Sequence, residues 1–190
     1  MVDEHLVRYI PRERIGLFID GVHLLEAARA LNVFIDYGKL LAHYQAWGQV
    51  VRAFYYNAIL PGRDNTACRK LYEWLDYNGF TTVIKQAKEF IDDNGSRRVK
   101  NGLEIDMALD MIEMAPYLDH VVLFSGRGDL RRPVETLQRK GVRVTVVSTI
   151  HSPTPMAAGE LRRQADRFDD LFDLAPLFAR EHRHITEEVA

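Results

Sequence analysis

Two apolar runs in this chain lead into acids. The run IGLFI at positions 15–19 is followed by Asp20-Gly21, and HVVLF at 120–124 leads through Ser125-Gly126-Arg127-Gly128 to Asp129. A third group of carboxylates, Glu104, Asp106 and Asp110, opens the stretch LEIDMALDM. Carboxylate oxygens are what a hard divalent cation such as Mg²⁺ takes as ligands, one or two of them completed by water and substrate phosphate. Such an ion stabilises the attacking and leaving oxygens of a phosphodiester displacement and activates water. The same residues have a plainer use. Asp20 before Gly21 and Asp129 before Leu130 are each placed to cap a following helix. The pattern by itself leaves both readings open, with capping the commoner one.

The elements that must hold these residues alternate. Continuous apolar or β-branched runs at 15–19, 50–56, 80–85, 120–124 and 142–147 read as strands. Helical stretches are expected at 24–31, 37–47, 65–77, 103–117, 130–140 and 157–165, with a short last helix at 174–180. Residues 87–100 break the alternation; Asn94-Gly95 between two mixed stretches predicts a protruding β-hairpin. Strands alternating with helices imply a parallel sheet covered on both faces, an α/β fold in three layers. In such sheets the ligand crevice lies beyond the carboxyl ends of the strands, where Asp20 and Asp129 fall.

Helical geometry separates the third acidic group. At about 100° per residue, Asp106, Asp110 and Glu113 share one narrow face and Glu104 lies nearly opposite Asp106. A regular helix cannot aim all four into one crevice. The bland expectation makes Asp106, Asp110 and Glu113 a solvated stripe.

Composition narrows the class. The chain has 190 residues, 47% of them hydrophobic and 27% charged, with 25 Lys+Arg against 27 Asp+Glu for a formal charge of −2. These values suit one globular domain and exclude a disordered or fibrous chain. No apolar run nears the roughly 18 residues of a membrane span, and MVDEHLVRYIPRER lacks a signal-peptide core, so a cytoplasmic protein is expected. A single cysteine, Cys68, excludes an internal disulfide and a cysteine zinc cluster. The near-neutral balance predicts that any nucleic-acid binding is weak and carried by a few phosphate contacts, with Arg97, Arg98, Arg127, Arg131 and Arg132 as candidates.

Phe18-Ile19-Asp20-Gly21, the segment KNGLEIDMALDM at 100–111 and the loop SGRGDL at 125–130 resemble, in order and spacing, the three signature motifs of NYN domains, relatives of the PIN-like nucleases. The hairpin and the phrase WLDYNG at 74–79 look most like the LabA-like (DUF88) branch. The resemblance spans about 13–176, leaving 1–12 as an N-terminal extension and 177–190 as a C-terminal tail. It implies a PIN-like, Rossmann-like fold and a metal-dependent endoribonuclease acting on RNA. Asp20, Glu104 and Asp129 would then be catalytic ligands of Mg²⁺ or Mn²⁺, supported by Asp106, Asp110, Ser125 and His23.

Three positions depart from that pattern. His23 stands where the family has Asn, Glu104 where it has Asp, and Arg127 where the loop carries its first Asp. A guanidinium cannot bind a cation. It can pair with Asp20 or Glu104 through one bidentate bridge and supply the charge that a metal would, or hold substrate phosphate. The alternative to a nuclease is therefore a catalytically degenerate NYN domain that serves as an RNA-binding or regulatory interaction module, with self-association open. A dinucleotide-binding Rossmann protein is disfavoured, because no Gly-x-Gly-x-x-Gly follows the first strand.

Overall fold

A computed structural model describes residues 13–59, 66–91, 97–100 and 102–180. The chain runs β1 (Arg14–Asp20), α1 (Gly21–Ala30), α2 (Tyr37–Trp47), β2 (Gln49–Ile59), α3 (Thr66–Tyr77) and β3 (Phe80–Gln86). It continues through β4 (Lys88–Ile91), β5 (Arg97–Lys100), α4 (Leu103–Met114), β6 (His120–Phe124) and α5 (Arg131–Arg139). The last elements are β7 (Arg143–Ser148), α6 (Gly159–Gln164), β8 (Arg167–Asp170) and α7 (Leu171–Phe178).

Six strands form one sheet in the order β3-β2-β1-β6-β7-β8, every neighbouring pair parallel. Alternation along each strand feeds two cores. Leu17, Ile19, Val122, Phe124 and Val147 pack with Leu24 of α1, Leu40 of α2, Leu75 of α3 and Phe178 of α7. Phe18, Val121, Leu123, Val144 and Val146 pack on the other face with Met107 of α4, Val134 of α5 and Leu161 of α6. The fold is thus the expected three-layer, PIN-like α/β arrangement, and β4 and β5 pair antiparallel as the protruding hairpin. The hairpin's turn, near Asn94-Gly95, lies outside the described residues.

One strand escapes sequence periodicity. The edge strand β8 reads RFDD, three charges in four residues, and the sequence pattern predicts β7 as the last strand. Its backbone pairing with Thr145–Ser148 makes it a strand, not its own side chains. Charge on an edge strand also discourages pairing with other chains. Among the described residues no helix is long and apolar enough to cross a membrane.

Candidate functional site

The strand order reverses between β1 and β6: β2 and β3 extend the sheet on one side of β1, β7 and β8 on the other side of β6. A crevice forms at such a switch point beyond the carboxyl ends. Asp20 closes β1 there, and Ser125-Gly126-Arg127 leaves β6 beside it. Gly21 follows Asp20 because α1 starts against the ring of Tyr55; a Cβ at this position would lie 2.4 Å from Tyr55 Cζ.

Asp20 fills both roles that its position allows. Its Oδ1 accepts from the His23 backbone N–H at 3.0 Å and caps α1, while Oδ2 accepts from Arg127 Nε at 3.0 Å. The Nη1 of the same guanidinium donates to Glu104 Oε1 in the first turn of α4. Arg127 therefore does not form one bidentate bridge to a single carboxylate, as expected; it spans two, one arm to each. The Asp20 side chain is 7% exposed, Glu104 22% and Arg127 39%, so the pairing is sheltered on the acidic side and open on the basic side. Burial disfavours the Arg127 charge, but the Asp20 and Glu104 carboxylates outweigh it and hold the guanidinium above its ordinary value.

The other expected residues scatter. Asp106 pairs with Lys85 at the end of β3 at 2.5 Å, and Asp110 accepts from the Tyr56 hydroxyl at 2.8 Å. Their helix face is opposite that of Glu104, so they are neither a solvated stripe nor supports of the Asp20 pair; only Glu113 of that stripe is exposed. Asp129 is exposed in a 3-10 turn, Gly128–Leu130, and does not cap α5, whose N-terminus has no side-chain cap. Ser125 is fully buried and its Oγ accepts from the Arg127 N–H at 3.3 Å, which shapes the loop. Arg131 is exposed near the crevice, and Arg132 pairs with Glu135 at 2.7 Å. Arg97 and Arg98 lie on β5, and their side chains fall outside the described part.

His23 is buried, with Nε2 at 2.9 Å from Ser148 Oγ at the end of β7. The sequence reading missed Ser148, although its place directly after a buried strand is the signal that singled out Asp20. Burial lowers the His23 pKa; Asp20 opposes this and Arg127 adds to it. His120 is lowered too, first by burial and then by Arg143. The unfolded chain therefore binds more protons than the folded one below about pH 6.5. Stability is present above that pH and is lost as pH falls toward the depressed folded-state values. Thermal midpoints read between neutral and mildly acidic pH should drop, and His23→Asn should reduce the slope; a slope unchanged by the substitution removes His23 from the explanation.

Asp20 and Glu104 are the right kind of oxygen donor for magnesium or manganese. The space between them, however, holds a guanidinium, which carries five N–H donors and no acceptor. Among the described residues no three His, Cys, Asp or Glu side chains are grouped so as to hold one ion. In this arrangement the residues present do not fit a divalent cation.

Comparison with known proteins supplies the relatives of this chain. A family model described as the NYN domain matches residues 14–172. The chain is 33% identical over 174 residues to the low amplitude and bright protein LabA of Synechococcus elongatus, covering 90% of each. A crystal structure of a protein of unknown function from Vibrio parahaemolyticus superposes with a TM-score of 0.70 at 25% identity, over 95% of this chain and 100% of that one.

Proposed function

The chain belongs to the NYN-domain family, and on that premise we propose that it binds RNA at the carboxyl edge of its sheet without hydrolysing it. The observation that carries this reading is Arg127, spread across Asp20 and Glu104 where catalysis by this family would place a cation. On its inner side the guanidinium offsets one of the two carboxylate charges. Its side chain stays 39% exposed, so its remaining N–H groups can donate to a phosphate oxygen from outside. Arg131, exposed at the first position of α5 three residues beyond Gly128, would add a second phosphate contact.

A second reading is a metal-dependent endoribonuclease, favoured by one observation: Asp20, Glu104 and the Asp129 loop all stand at the same sheet edge. There a phosphate would draw Arg127 outward, and Asp20, Glu104 and Asp129 would be the ligands of Mg²⁺ or Mn²⁺. Labelled single-stranded RNA separates the two. Binding should weaken with salt along a log–log slope of about −0.7 per phosphate contact, and the RNA should stay intact in Mn²⁺. Cleavage by the wild-type protein that Asp20→Asn abolishes would establish the second reading. Absent or salt-independent binding would end the first.

A further inference from the structure

A groove of about 580 Å³ shares no residue with the Asp20–Arg127–Glu104 bridge. Its walls come from three parts of the chain that the fold brings together: the end of α1, the segment before α2, and α3, with Arg180 following α7. Backbone bonding sets that last contact, because the Arg180 N–H donates to the Phe34 carbonyl at 2.8 Å. Leu71 and the indole of Trp74 are among the apolar side chains of the wall, and Trp74 remains 41% exposed.

The charge is one-sided. Arg29, Lys70 and Arg180 line the groove, and among the described residues no Asp or Glu does. None of the three cations is ion-paired to a described carboxylate. Three like charges from separate elements repel one another, and an anion between them relieves that repulsion. An exposed indole beside cations is also a platform for a flat π-system. Asn32, held at a φ of 54°, lines the same groove and brings an amide that both donates and accepts.

We propose that this groove is a binding site for a nucleotide, its base against Trp74 and its phosphate between Arg29, Lys70 and Arg180. The volume lies within the range of about 300–1,000 Å³ usual for small-molecule sites. An uncharged aromatic would leave the three cations uncompensated, and a bare phosphate would leave the indole wall in water. A base joined to a phosphate meets both needs. This site is independent of RNA binding at the crevice.

The test uses the full chain carrying Trp47→Phe, so that Trp74 is its only tryptophan, titrated with adenosine 5′-monophosphate, adenosine and inorganic phosphate. The monophosphate should quench the emission saturably. Adenosine and phosphate alone should bind at least about tenfold more weakly. The double variant Arg29→Gln/Lys70→Gln alters two exposed side chains and should lose a comparable factor. No saturable quench by the monophosphate, or an undiminished one in the double variant, would overturn the proposal.

Discussion

Arg127→Asp should turn a chain that binds Mn²⁺ poorly into one that binds it at least about tenfold more tightly, as read by calorimetry. The substitution removes the positive charge between Asp20 and Glu104 and adds a third carboxylate beside them. Like charges this close and this sheltered cannot all stay ionised without a counter-charge. In chelator the variant should therefore melt below wild type. Metal should restore it: at a hundredfold excess over the dissociation constant, binding adds about 2.7 kcal/mol, roughly 5–10 °C for a domain of this size. Wild type should show little such shift. Tight Mn²⁺ binding by wild type, unchanged or weakened in Arg127→Asp, would show that the guanidinium is no substitute for a metal. RNA cleavage gained by the variant would show further that the family's chemistry is blocked here by charge alone.

Gly126→Ala should be the most damaging glycine-to-alanine change among the described residues. A Cβ at Gly126 would stand 1.9 Å from the Met156 carbonyl oxygen and 2.7 Å from His23 Cε1. The Met156 oxygen is backbone and cannot rotate away, and the Gly126 carbonyl is itself tied to the Ala158 N–H at 2.9 Å. Relief requires parting the β6 loop from the segment before α6, which also moves Arg127 off its two carboxylates. A cost of about 3 kcal/mol is expected, a fall of roughly 6–12 °C in melting midpoint. The RNA binding proposed for the crevice should weaken with it. A midpoint within a degree or so of wild type would mean that the loop has slack the packing does not show.

Much of this layout is legible in local sequence. Apolar runs at 15–19 and 120–124 become central strands because continuous apolar residues suit a sheet buried on both faces. Helical periodicity separates Glu104 from Asp106 and Asp110, and in the fold they do take different partners. The order of motifs points to the NYN family, and Asp20 at a strand end points to the crevice. All of this depends on neighbours a few residues apart, where backbone geometry alone dictates which side chains share a face.

What the crevice does with its charges lies beyond that range. Arg127 meets Asp20 across 107 positions and Glu104 across 23. Whether its long side chain turns to one carboxylate, to both, or to solvent depends on where α4 docks against β1, β2 and the turn at 128–130. His23 finds Ser148 across 125 positions. The pull of Lys85 and Tyr56 on Asp106 and Asp110 depends on α4 lying over β2 and β3. Strand β8, with three charges in four residues, exists only because β7 offers it an edge to pair with. The sequence by itself determined strands β1, β2, β3, β6 and β7, the helices between them and the place of Asp20 after a strand, because those follow from short-range periodicity. Only the tertiary structure decided that a guanidinium lies between two of those acids, because ion pairing is settled by distance in space.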